Sequence, residues 1–195
     1  MTKKLLFALL VLTVTAQWLV PGKLIYDSEK TNAEGTSFKF RIRPVDPYDP
    51  FRGKYITLDF MDNESKRDTL ESFSYGQSVF VEVSPDSGLI AKVKSISKNT
   101  PLGSDYFEAT VVWVSQNRAD SIQTVGLDFP FKKFFLEETV APEAELTYAE
   151  TRSDPGYALV SIMNGKAILR DVIIRDSSIV DVVRARRLKR GSAKE

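Results

Sequence analysis

From Phe38 to Arg43 the chain reads Phe-Lys-Phe-Arg-Ile-Arg, a strict two-residue alternation. Three apolar side chains thus share one face of an extended strand, and three cations share the other. The same period returns where Ile56, Leu58 and Phe60 alternate with Tyr55, Thr57 and Asp59, and where Val79, Val81 and Val83 share a face. Leu89, Ala91 and Val93 face away from Lys92 and Lys94, with Ser84-Pro85-Asp86-Ser87-Gly88 as the turn before them. Ala109 to Val114 is apolar on both sides and reads as a central strand. Asn164-Gly165, between Tyr157–Met163 and Lys166–Ile174, is the strongest short hairpin signal in the chain. Helical signals are local. Phe131–Leu136 fits strand or helix, and Thr139–Leu146 predicts a short helix with Pro142 in its first turn and acids near its start. Glu64–Phe73 is polar and reads as a surface loop or one or two helical turns. The expected fold is mainly β, a barrel or sandwich-like domain with one short helix.

An N-terminal segment precedes that domain. Lys3 and Lys4 come before sixteen uncharged residues, Leu5 to Val20, and Pro21-Gly22 is expected to stop the run. As helix those sixteen residues are about 24 Å long. That is a little short for a hydrocarbon core of about 30 Å and a little long for a signal-peptide core. Thr2 to Gly22 spans if the lysines snorkel and Trp18 sits at the far interface. An uncleaved anchor is the favoured reading. Val14-Thr15-Ala16 keeps a cleaved signal peptide as the alternative. Positive-inside logic leaves the N-terminus cytoplasmic and the remainder on the periplasmic or outer side. The expected division is 1–22 as anchor or signal segment, 23–183 as the β-rich extracytoplasmic domain, and 184–195 as a basic tail.

Two absences narrow the chemistry. The chain has no cysteine and no histidine, which excludes disulfides, thiol nucleophiles, thiolate or imidazole metal sites and Ser-His-Asp triads within it. No metal and no cofactor is expected. The terminal residues 184–195 hold six of the 27 basic groups and one of the 26 acidic ones, so the other 183 residues carry 21 basic against 25 acidic groups, a net −4. A mildly acidic body is not a nucleic-acid binder. The basic tail suits a solvated end or contact with anionic headgroups.

The most ordered stretch of apparent loop is Arg43–Gly53, with prolines at 44, 47 and 50. Wound with three residues per turn, it sorts into three edges. One edge carries Arg43, Asp46, Asp49 and Arg52; the second carries the prolines and Gly53; the third carries Val45, Tyr48 and Phe51. Asp46 and Asp49 would stand roughly 9 Å apart along such a helix, too far to share a proton; a turn at Asp46–Asp49 would bring them closer. Arg43 and Arg52 are natural partners for both. Three roles are open: a self-bracing connection, a preformed docking edge, or a carboxylate pair without a companion nucleophile. Tyr55 shares a strand face with Thr57 and Asp59, and Glu138 and Glu145 are the other acids to follow, with capping as their simplest role.

Pro44–Phe60 resembles the signature of the bacterial GDYxxLxY family. Gly53, Tyr55 and Leu58 match; Lys54 stands for the motif's Asp and Phe60 for its final Tyr. The preceding Asp-Pro-x-Asp-Pro-x-Arg stretch, the segment Phe134–Glu138 with Ala144-Glu145, and the Asn164–Ala167 hairpin also look like the family's. The resemblance implies a small membrane-anchored protein encoded beside multi-spanning membrane proteins, and it carries no activity. The leading expectation is a non-enzymatic envelope protein of the bacterial cytoplasmic membrane. It would cross once and bind or assist an integral membrane partner through the proline-rich loop. The alternatives are a carboxylate-dependent hydrolase of an envelope polymer, using Asp46 or Asp49 with Glu138, and a small-ligand-binding β-barrel.

Overall fold

The computed structural model describes residues 3–43, 55–68, 71–86, 88–103, 105–116, 122–137, 140–150 and 156–192. A long helix, α1 (Lys3–Glu34), leads directly into β1 (Thr36–Arg43). Then follow β2 (Tyr55–Thr57), β3 (Asp59–Phe60), β4 (Glu64–Asp68), β5 (Ser78–Pro85), β6 (Ala91–Ser97), β7 (Tyr106–Gln116), β8 (Ile122–Asp128) and β9 (Lys133–Phe135). Helix α2 (Ala141–Glu150), strands β10 (Gly156–Met163), β11 (Lys166–Ile174) and β12 (Ser177–Ser178), and helix α3 (Ile179–Ser192) complete the order.

Two five-stranded antiparallel sheets form most of the body, ordered β12-β11-β10-β1-β3 and β4-β8-β7-β5-β6, with β2-β9 as a separate ribbon. The sheets are sewn together at two places. Lys39 donates its N–H to the Leu89 carbonyl at 2.9 Å, and Gly165 donates to the Tyr106 carbonyl at 3.0 Å. The result is a nearly closed, barrel-like β structure. Its interior holds the alternating residues expected of it: Phe38, Phe40, Ile42, Ile56, Leu58, Phe60, Val79, Val81 and Val83 are all buried. At its centre the rings of Phe40, Phe60, Phe107, Phe129 and Phe131 touch with centroids 5.1 to 6.1 Å apart, mostly edge to face. The β10–β11 hairpin closes at Asn164 (φ 49°) and Gly165 (φ 87°), the paired left-handed geometry of a tight two-residue turn.

Several elements differ from the sequence reading. Helix α1 does not stop at Pro21-Gly22 but runs on to Glu34. Its last turns lie against β10 and β11, with Thr31 buried and Asp27 bonded to Lys166. That docking offsets the one backbone bond that Pro21 removes. Glu64–Asp68 is neither loop nor helix but edge strand β4, paired with β8. Among its described side chains only Ser65 is buried; Glu-Ser-Lys-Arg-Asp carries no apolar alternation, and charges on an edge strand block stray pairing. Strand β8 was not apparent in the sequence. Gln123 occupies one inward position and bonds the Glu71 carbonyl at 2.9 Å, and Gly126 interrupts the pattern beneath the Trp113 ring. Strand β7 sits in the middle of its sheet as expected, yet a bulge leaves Val112 and Trp113 on an outer, exposed face. Leu89 does not share the face of Ala91; it is exposed in the turn with φ 63°. Phe131–Leu136 resolves as strand β9, and α2 is the predicted short helix. The basic end is not a loose tail: it continues α3, which Ile179 and Val183 anchor in the core.

Because Phe40 touches four rings drawn from both sheets and their connection, Phe40→Ala should lower unfolding stability by about 3–5 kcal/mol. Phe135→Ala, at a position 69% exposed, should cost under about 1 kcal/mol. Denaturant titration of both variants checks the contrast; equal losses would show that the ring cluster is not the centre of the fold.

Candidate functional site

The described structure frames the proline-rich loop at both ends. Strand β1 delivers Arg43 to the loop's start, and β2 begins at its end with Tyr55. Asp46, Asp49, Arg52 and Gly53, like Glu138, lie outside the described residues. Glu145 lies in the first half of α2, where its side chain is likewise outside the description.

The start of the loop is held by three elements. Arg43 pairs across the β1–β3 ladder with Asp59, and its Nε donates to that carboxylate. Arg43 thus has a carboxylate from β3; its expected pairing with Asp46 and Asp49 lies outside the described residues. Two residues back, Arg41 grips Asp62 with two bonds of 2.9 Å, Nε to Oδ2 and Nη2 to Oδ1. Each carboxylate raises the pKa of the guanidinium it meets, chiefly through the hydrogen bond. These pairs are partly exposed, so each is worth at most about 1 kcal/mol. Their contribution is geometric: a bidentate fork fixes the direction of the strand end. From α2, the Tyr148 hydroxyl donates to the Arg43 carbonyl at 2.5 Å. Val140, just before α2, and Ala144 and Tyr148 within it recur every four residues along the helix's buried side. Burial drives the Tyr148 phenol well above its ordinary value of 10.0, and the Asp59 charge adds to the rise.

The end of the loop is held by the β2–β9 ribbon. Tyr55 pairs with Phe135, ring centroids 5.6 Å apart, and Lys133 Nζ stands 4.8 Å from the Tyr55 ring centre. Next to this outward group, Leu58 and Phe60 turn inward and are buried. Leu58 also donates its N–H to the Lys132 carbonyl at 2.8 Å. Helix α2 is braced on its far side by α3. Arg187 Nε donates to Glu143 at 2.6 Å, and Arg186 Nη1 donates to Thr147 Oγ1 at 3.2 Å. Asp59, Asp62 and Tyr148 escaped the sequence reading. The four-residue spacing of Val140, Ala144 and Tyr148 was the one signal available, since the two carboxylates lie 16 and 21 residues from their arginines.

Among the described residues, no three Asp or Glu side chains gather as a metal-holding group. The described part of the site is a frame of ion pairs, one buried phenol and an outward aromatic pair.

Fold and site together define a β-barrel-like domain that carries a framed loop and is preceded by one helix long and apolar enough to cross a membrane. The chain belongs to the GDYXXLXY protein family, whose profile matches residues 17–172. Searches of the curated proteins and of the solved structures found no match. On this structure Leu58 and Phe60 of the family signature are core residues, and Tyr55 is the half-buried member of its aromatic pair with the exposed Phe135.

The phenol makes the frame sensitive to alkali. Above the ordinary tyrosine value of 10.0 the unfolded chain ionises Tyr148 while the folded chain does not. The contribution of this group is thus complete below that pH and falls by about 1.4 kcal/mol per pH unit as pH rises towards the elevated folded value. Tyr148→Phe should cost about 1 kcal/mol at neutral pH and flatten the alkaline decline. Denaturant melts at pH 7 and pH 11 test this, and an undiminished alkaline slope in the variant would rule out the phenol as its source.

Proposed function

We propose that this chain is a single-pass envelope protein of the bacterial cytoplasmic membrane. Its β domain lies on the periplasmic or outer side and engages an integral membrane partner through the proline-rich loop at Arg43–Gly53. The observation that carries this reading is the double clamp on the loop: Arg43 is held by Asp59 and Tyr148, and Tyr55 by Phe135 and Lys133. A loop whose ends are fixed loses little entropy on docking, so a framed, proline-rich segment suits partner capture. The anchor reading draws support from α1, whose apolar residues are exposed along its whole first half. In water such a surface has no counterpart, whereas a lipid environment covers it.

Two measurements test the proposal. After alkaline carbonate washing, the full chain should remain with membranes and its mass should include residues 1–16; a soluble form beginning at Gln17 would instead indicate a cleaved signal peptide. Asp46→Asn and Asp49→Asn should leave thermal unfolding nearly unchanged while crosslinking and copurification of the membrane partner fall at least tenfold. A loss of stability of about 1–3 kcal/mol, with capture reduced only as far as folding, would make the aspartates braces of the fold and overturn the docking role.

A further inference from the structure

We infer that the β10–β11 hairpin rests in the lipid headgroup layer, with the Asp27–Lys166 ion pair clamping the barrel flat against the bilayer from which α1 emerges. The inference rests on the anchor reading of α1 and adds a second contact between this protein and lipid.

The apolar surface of α1 does not end at Val20. Beyond Pro21-Gly22 the helix continues, and Leu24, Ile25 and Tyr26 are exposed by 60, 64 and 66%. Leu5 to Tyr26 makes a helix of about 33 Å, which fits a hydrocarbon core of about 30 Å with a modest tilt. Lys23 lies within one turn of the end and can extend its ammonium to the headgroups, and Tyr26 is the kind of residue that settles at that interface.

The barrel begins at the next residue. Asp27 accepts a bond from Lys166 Nζ at 2.5 Å, the first residue of β11. One turn on, Thr31 is 1% exposed, beside Met163 and Asn164. Ser28, Glu29 and Asn32 face Ile168, Leu169 and Arg170 across a shallow groove. At the helix end there is no slack. A Cβ on Gly35 would stand 2.4 Å from the Thr31 carbonyl oxygen and 3.0 Å from that of Ile162, and Thr36 already pairs with Ile162 in the sheet. The hairpin is therefore tied to α1 from Asp27 to Gly35, with no linker between the apolar run and the first barrel contact. A rise of about 1.5 Å per residue puts Lys166 within a few ångströms of the level of Tyr26. At that level lie phosphates and partly excluded water. Lys23 and Lys30 can meet the phosphates, and the Asp27–Lys166 attraction gains from the lower dielectric.

A chain without cysteine allows single-site labelling. Asn164→Cys and Tyr26→Cys, each carrying an environment-sensitive fluorophore, would be placed in nanodiscs of phosphatidylcholine and phosphatidylglycerol doped with headgroup-spin-labelled lipid. No protein partner is present in these discs, so quenching reports lipid alone. We expect at least twofold quenching at both positions, and Asp27→Asn should reduce it at residue 164 but not at residue 26. Quenching at Tyr26 without quenching at residue 164 would show a barrel standing clear of the bilayer, overturning this inference and sparing the anchor. Absence of quenching at Tyr26 would overturn both. Since Asn164 occupies a left-handed turn position, Met163→Cys, the neighbouring last residue of β10, provides a second reporter, read by the same criterion, should the turn variant fail to fold.

Discussion

Five phenylalanines hold the two sheets together. Phe40 comes from β1, Phe60 from β3, Phe107 from β7, and Phe129 and Phe131 from the stretch between β8 and β9, and the first of these rings touches all the other four. Each buried ring contributes about 1.5–3 kcal/mol through removal from water, with further gain from edge-to-face contact. The cluster also dictates where everything else must go. With aromatic bulk in the middle, no charged group is accommodated there, and the arginines that alternate with the core residues of β1 are forced to the outer face. That is where Arg41 and Arg43 meet Asp62 and Asp59. The frame around the loop is thus a consequence of the core: the same alternation that buries Phe40 and Ile42 turns the arginines outward to seize carboxylates.

The family signature divides along the same line. Leu58 and Phe60 belong to the interior, Phe60 within 5.2 Å of both Phe129 and Phe131. Tyr55 belongs to the exterior and to the loop's far end. A motif of this kind couples packing to presentation, because any shift of Phe60 in the core would move Tyr55 and Asp59 with it along one short stretch of chain. Lys54, where the family has Asp, precedes the first described residue of β2.

How much of this was legible depended on whether the information was local. The alternation of Phe38–Ile42, Ile56–Phe60 and Val79–Val83 and the Asn164-Gly165 turn are written in adjacent residues, and the strands and hairpin follow from them. Strand β4 was invisible because its sequence, Glu-Ser-Lys-Arg-Asp, has no apolar residue to alternate. Strand β8 was obscured by Gln123 and Gly126, each satisfied by a distant group, the Glu71 carbonyl and the Trp113 ring. The site was less legible still. Tyr148 lies 105 residues from the carbonyl it bonds, and nothing near either residue announces the other. The basic end misled in the opposite sense, since a run of arginines looks solvated while Arg187 in fact reaches Glu143 on a neighbouring helix.

The continuation of α1 through Pro21 shows the same principle at the junction between helix and barrel. Proline in a helix interior costs about 3 kcal/mol relative to alanine, and with glycine next to it the pair reads as a stop. Local propensity loses here because the chain from Asp27 to Gly35 is held from outside: Asp27 by Lys166, Thr31 by burial, and Gly35 by a fit too close for a side chain. A lipid environment weakens the case for a stop further, since a chain leaving a helix inside hydrocarbon would expose unpaired backbone groups at several kcal/mol each. Ending the helix at Gly22 would leave Leu24, Ile25 and Tyr26 as an apolar linker. Continuing it keeps them on the helix's apolar surface and brings Asp27 to the hairpin. The sequence cue is therefore not the Pro-Gly pair but the apolar triplet after it, which continues the apolar surface of α1 up to Asp27, where the first barrel contact falls.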